Sequence, residues 1–118
     1  MNATVWELPC RSQEFREGPV VRLGPATLTL AYDFETETGD YAWEKVHFSG
    51  VAAFACTAAA YCNEDQIRAY DRLEVVAGSR WAADLHAEGS ALQHYRIYFD
   101  DVGCYEVLAS AFVPPIGA

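Results

Sequence analysis

The stretch 94-HYRIYFDDVGCYEVLASAF-112 decides how this chain folds. Two strongly apolar runs flank FDDVGC, so Asp100 and Asp101 either form a metal or catalytic site or sit at the tip of a hairpin. Turn chemistry favours the hairpin. Asp100 suits the first position of a type I turn, because its carboxylate accepts a backbone N–H. Asp101 and Val102 then form the central pair, and Gly103 supplies the left-handed residue of a G1 bulge. This register sets Phe99 opposite Tyr105, Ile97 opposite Val107 and Tyr95 opposite Ala109 on one face. The other face pairs Tyr98 with Glu106, Arg96 with Leu108 and His94 with Ser110, and makes Arg96 and Glu106 diagonal neighbours of opposite charge. Turn and alternation agree on a hairpin of residues 93–100 and 104–113. A calcium or magnesium site needs several converging oxygens, which two adjacent turn carboxylates do not supply.

Upstream, Thr27 to Glu35 alternates with period two. Leu28, Leu30, Tyr32 and Phe34 face one way, as in a half-buried strand. Val20 to Leu23 is a short apolar strand before the Gly24-Pro25 turn. The segment 35-ETETGDYAWEK-45 reads as an acidic loop centred on Gly39. From Val46 to about Thr57 the pattern suggests one central strand, apolar on both faces after Gly50. Asn63 and Gln66 form a capping-box pair before a short turn or helix near 64–68, followed by a strand ending at Gly78. Ser79 caps a second short helix, with Trp81 and Leu85 on one face and Gly89 as its stop. Residues 1–19 read as an irregular lead-in. The expected fold is α+β, a single domain over 1–118: an antiparallel β-sheet with a C-terminal hairpin and one or two short helices.

The chain has 118 residues, enough for one core. Seventeen acids against eight bases give a formal net charge of −9. Such a surface repels nucleic-acid phosphates and anionic lipids, so no nucleic-acid or membrane partner is expected, and it attracts a basic protein. The N-terminus MNATVWELPCRSQEF lacks a basic region followed by an apolar stretch, which reads as a cytoplasmic chain. Cys10, Cys56, Cys62 and Cys104 then read as reduced and mostly buried. No C-x-x-C pair occurs, so zinc is not expected. No cofactor motif is present either.

Asp33, Glu35, Glu37, Asp40 and Glu44 make the densest acidic cluster. Its spacing departs from a calcium loop, since the glycine falls one position late and no bidentate glutamate follows. The expected site is therefore a recognition surface of Glu35, Glu37, Asp40 and Glu44, with Tyr41 and Trp43 as apolar anchors. His47, His86 and His94 are scattered, and His94 and Cys104 lie too far apart along the hairpin to act as a nucleophilic pair. No catalytic residue is assigned.

The tail HYRIYFDDVGCYEVLASAF, with AYDRLEVVAGSRW before it, resembles short uncharacterised acidic bacterial proteins, some of toxin-immunity type. The resemblance spans about residues 43–113. It implies a partner-binding role and supplies no site residue. Seven arginines against the single Lys45 are in keeping with a GC-rich bacterial genome. Three functions compete. The first is a non-catalytic acidic domain that binds a basic protein, such as an immunity-type protein neutralising a toxin. The second is a small ligand-binding domain or enzyme with a pocket between sheet and helix. The third is a homo-oligomeric structural protein joined through exposed sheet edges.

Overall fold

The computed structural model describes residues 2–85 and 91–115. Nine strands run in chain order: β1 (Ala3–Glu7), β2 (Val20–Gly24), β3 (Thr27–Glu35), β4 (Tyr41–Ser49), β5 (Ala53–Ala58), β6 (Arg72–Val75), β7 (Gln93–Phe99), β8 (Gly103–Ala109) and β9 (Ala111–Val113). Helices α1 (Glu64–Ile67) and α2 (Arg80–Asp84) are each about one turn long. The strands form two sheets where the sequence suggested one. A five-stranded sheet runs β1-β6-β7-β8-β5 and a four-stranded sheet runs β2-β3-β4-β9, with the named strands pairing antiparallel throughout.

The inner faces of the two sheets share one core. Leu28, Leu30, Tyr32, Val46 and Phe48 of the four-stranded sheet meet Leu73, Tyr95, Ile97, Phe99 and Val107 of the other. Phe48 packs on Tyr95 with ring centroids 5.4 Å apart, and Phe15 bridges Tyr32 and Phe99. The period-two alternation of β3 is what delivers its inner row.

The run from Val46 to Thr57 is two strands, not one. Gly50 has φ +60, a left-handed value that breaks the strand, and the chain leaves the four-stranded sheet there to enter the other as β5. β8 crosses back at the same corner: Ser110 donates its N–H to the Ser49 carbonyl, 3.0 Å away, before β9 pairs with β4. β5 is consequently an edge strand and not a central one.

The hairpin of β7 and β8 has a register two residues from the one expected. Phe99 pairs with Gly103, Ile97 with Tyr105, Arg96 with Glu106 and Tyr95 with Val107. The corner is tighter because Val102 N–H donates to the Phe99 carbonyl, and Asp101, at φ +61, takes the left-handed position. Aspartate tolerates that conformation better than most residues. An even shift keeps every side chain on its expected face, whereas a shift of one would have reversed them all. Gly103 has φ +140, and a Cβ there would press on the backbone of Thr57 and Ala59.

Residues 1–19 are not simply irregular. Ala3–Glu7 is an edge strand on β6, with a bulge between Thr4 and Trp6, and Trp6 and Leu8 pack against the core. The following segment is held by Asp33, whose carboxylate accepts the backbone N–H groups of Arg16, Glu17 and Gly18 at 3.1, 3.0 and 2.8 Å. Asp33 is buried. Burial alone would raise its carboxyl, but the three donated bonds outweigh it and hold the group below the ordinary aspartate range. Asp33→Ala removes the acceptor for all three donors and is expected to cost about 2 to 4 kcal/mol, while Glu37→Ser at the exposed turn stays within about 0.5 kcal/mol. Urea titration of both variants reads the difference.

Both helix starts match the sequence. Asn63 and Gln66 form a reciprocal capping box, and the Ser79 hydroxyl accepts the Ala82 N–H. Gly89, the expected stop of the second helix, lies outside the described residues, as does His86. Among the described residues, no helix is long and apolar enough to cross a membrane.

Candidate functional site

Two regions outside the core combine chemistry with geometry. The first contains the residues singled out by sequence. Glu35 ends β3 and Tyr41 begins β4, paired across a turn over residues 36–40. Thr36 N–H donates to the Asp40 carbonyl at 2.7 Å, the Thr38 hydroxyl donates to the Asp40 carboxylate, and Gly39 has φ +86. The acidic loop is therefore a short hairpin turn, and Tyr41, Trp43 and Glu44 belong to a strand. Strand alternation separates the six. Tyr41 and Trp43 point outward from the four-stranded sheet, 37% and 42% exposed. Glu44 points inward, where its carboxylate accepts the Tyr32 hydroxyl at 3.2 Å. It leaves the recognition group, and Asp33 is likewise a buried structural acid. Glu35, Glu37 and Asp40 stay together at the exposed turn.

The outer face around Trp43 was not foreseen. Val20 and Arg22 from β2, Lys45 and His47 from β4, and Val113 from β9 surround the ring, all exposed. Shallow grooves of about 440 and 500 Å³ flank Trp43 on either side. The Arg16 guanidinium sits 4.6 Å from the Tyr41 ring centroid, a cation–π contact. The helices pack on β7, in the other sheet. An aromatic stripe thus runs from an acidic tip toward a mixed, partly cationic centre.

The second region lies on the outer face of the five-stranded sheet, under the helices. Glu106 is only 8% exposed and receives three donors from two elements, β7 and α1. Arg96 Nε lies 2.8 Å from Oε1, His94 Nε2 lies 2.7 Å from the same oxygen, and Gln66 Nε2 from α1 lies 3.2 Å from Oε2. Burial alone would raise this carboxyl. The hydrogen bonds of His94, Arg96 and Gln66 and the charge of Arg96 overcome that and bring it down to about 2. The ionised carboxylate makes His94 Nε2 a donor, and the Ser79 hydroxyl lies 2.7 Å from Nδ1 on the other side of the ring.

Ser79, His94 and Glu106 are thereby connected in the order of a nucleophile, base and acid. Two features turn them to a structural purpose. The Ser79 oxygen is already the N-cap of α2, and the Trp81 ring covers His94 edge-on at 5.2 Å. The set fastens α1 and α2 to β7 and β8. Sequence alternation did place His94, Arg96 and Glu106 on one face, but Ser79 and Gln66 arrive from distant segments. Cys104 pairs across from Tyr98, four positions along β7 from His94, and burial raises its thiol well above the ordinary range. Of the four cysteines expected to be mostly buried, Cys104 is buried, Cys10 and Cys62 are half-buried and Cys56 is exposed.

At the opening aspartates, Asp100 accepts the Tyr70 hydroxyl at 2.8 Å, and its N–H donates to the Ser12 hydroxyl. Among the described residues, no three metal-ligating side chains gather. Comparison of the chain with family models, with curated proteins and with solved structures gives no match.

Proposed function

We propose that this chain is a non-catalytic binding domain that engages a basic protein through the β3–β4 turn and the outward face of β4. The single observation that carries this reading is the exposure of Trp43 and Tyr41 side by side on an open sheet face, directly continuous with Glu35, Glu37 and Asp40. Large aromatics supply binding energy by burial at the centre of an interface, and charges at the rim supply encounter rate and orientation. The net charge of −9 adds long-range attraction for a cationic partner. Arg16 over Tyr41 marks a ring that already accommodates a guanidinium, the group a basic partner would present. An immunity-type role, in which the partner is a basic toxin, is the biological form of this proposal. It has a cytoplasmic setting as its premise.

Affinity capture from the native host tests it. Wild type should retain a basic protein at low salt and release it as salt rises. A variant carrying Glu35→Ser, Glu37→Ser and Asp40→Ser should retain less, and Trp43→Ala should reduce retention by at least about tenfold in affinity. Equal recovery by wild type and Trp43→Ala would remove the surface from consideration.

A second reading rests on the Ser79–His94–Glu106 connection, which lies between sheet and helix where a small enzyme would place its pocket. Labelling of Ser79 by a fluorophosphonate probe, lost in His94→Ala, would favour it. The capping bond to Ala82 and the cover of Trp81 weigh toward the structural role.

A further inference from the structure

Three of the seven arginines of this acidic chain line one cleft of about 480 Å³ at the junction of α1, β6 and β7, on the opposite side of the molecule's sheets from Trp43. That volume is in the range that holds a small ligand. Arg68 comes from the end of α1, Arg72 from β6 and Arg96 from β7, with Asn2 at the margin. Each guanidinium is held in a particular way. Arg96 gives its Nε to Glu106 at 2.8 Å. Arg72 gives its Nε to the Arg68 carbonyl at 2.9 Å and lies 3.2 Å from the Glu74 carboxylate through the same nitrogen. Among the described residues, no acceptor meets the Nη groups of Arg72 or Arg96.

A guanidinium anchored through Nε keeps its terminal edge, the fork that matches an oxyanion in bidentate geometry. Two such forks border one cavity here, with Arg68 at the rim, paired with Asp65 through one nitrogen. The acids of the cleft do not occupy the forks. Glu74 is buried and is taken up by Arg72 Nε and by the Asn2 amide at 3.4 Å. Register makes the arrangement rigid, since Glu74 pairs with Arg96 across β6 and β7 and Arg96 pairs with Glu106 across β7 and β8.

We infer that this cleft binds a small oxyanion, a carboxylate or phosphate group, between the guanidinium forks of Arg72 and Arg96. The group belongs to a small molecule and not to a polyanion, because the chain as a whole carries a net charge of −9 and repels an extended phosphate backbone. The site is independent of the protein-binding face, which lies on the other sheet.

Calorimetric titration of the full chain with inorganic phosphate and, separately, with citrate tests the inference, in a buffer free of other oxyanions and with chloride at matched ionic strength as the control. Saturable one-to-one binding of phosphate, of citrate or of both is the supporting result, and which of the two binds identifies the group. Arg72→Gln should weaken that binding by about tenfold or more, equivalent to about 1.4 kcal/mol. Arg22→Gln, on the far sheet, should leave it unchanged. Circular dichroism melting of each variant shows that the fold is retained. Failure of both anions to saturate overturns the inference. So does equal heat from chloride, or undiminished affinity in a folded Arg72→Gln.

Discussion

Glu106→Ala is expected to lose roughly 3 to 5 kcal/mol of stability, among the largest effects of any single substitution in this chain. The carboxylate is buried, and its removal leaves Arg96, His94 and Gln66 without their shared acceptor at 2.7 to 3.2 Å. An unpaired buried guanidinium is the costly part of that loss. Glu106→Gln keeps the volume and one acceptor oxygen, so a smaller loss is expected. The same group gives a pH signature. Its folded value of about 2 lies below the ordinary 4.5, so its stabilisation is fully present above pH 4.5 and is lost as pH falls through about 2. The difference in unfolding free energy between wild type and Glu106→Gln should therefore shrink by an amount on the order of 3 kcal/mol between pH 5 and pH 2. A difference independent of pH would show that Glu106 titrates alike in both states.

Gly103→Val should cost about 3 kcal/mol or more, beyond the 1 to 2 kcal/mol that backbone strain alone would suggest. The φ of +140 is unfavourable to any side chain with a Cβ. The added carbon would also overlap the Thr57 carbonyl oxygen and lie 3.0 Å from the Ala59 nitrogen, both main-chain atoms of the adjacent β5 region. Backbone cannot swing aside as a flexible side chain can, so β8 and β5 must separate at that end. Gly103→Ala should show most of the same loss, because the clash arises at Cβ. Chemical denaturation of the two variants tests this, and a loss under 1 kcal/mol in Gly103→Ala would exclude the close approach.

These two residues also show what local pattern conveys. Alternation in β3, β7 and β8 placed the inner row correctly, because side-chain direction depends only on parity along a strand. The hairpin register depended on which residue of the turn takes the left-handed conformation. Asp101 and Gly103 both do, and the sequence favoured the glycine. β1 was invisible for a different reason. Its partner β6 is some seventy residues away, and only Trp6 of its five residues turns partly toward the core. The break at Gly50 was hidden because apolar residues on both sides imitate one long central strand.

The recognition residues divide along the same line. Glu35, Glu37 and Asp40 follow from composition, and the structure keeps them together. Glu44 was grouped with them by proximity in sequence. Treating 41–49 as a strand would have sent it inward with Val46 and Phe48, as the structure does. Asp33 belonged to the acidic cluster but not to the recognition group, and its burial follows from no local rule, since its partners are the backbone of Arg16, Glu17 and Gly18. The arginine cleft required three elements to converge, although Arg96 beside Glu106 on an otherwise apolar hairpin was a legible hint.

Amide hydrogen exchange on the complex captured from the host tests the central claim most directly. Bound and free chains should differ over residues 35–45, where the turn and Tyr41 and Trp43 become covered, with exchange in β7 and β8 unchanged. Protection confined to the helix-covered side, around residues 72–82 and 93–108, with none at 35–45, would contradict the assignment of the partner surface.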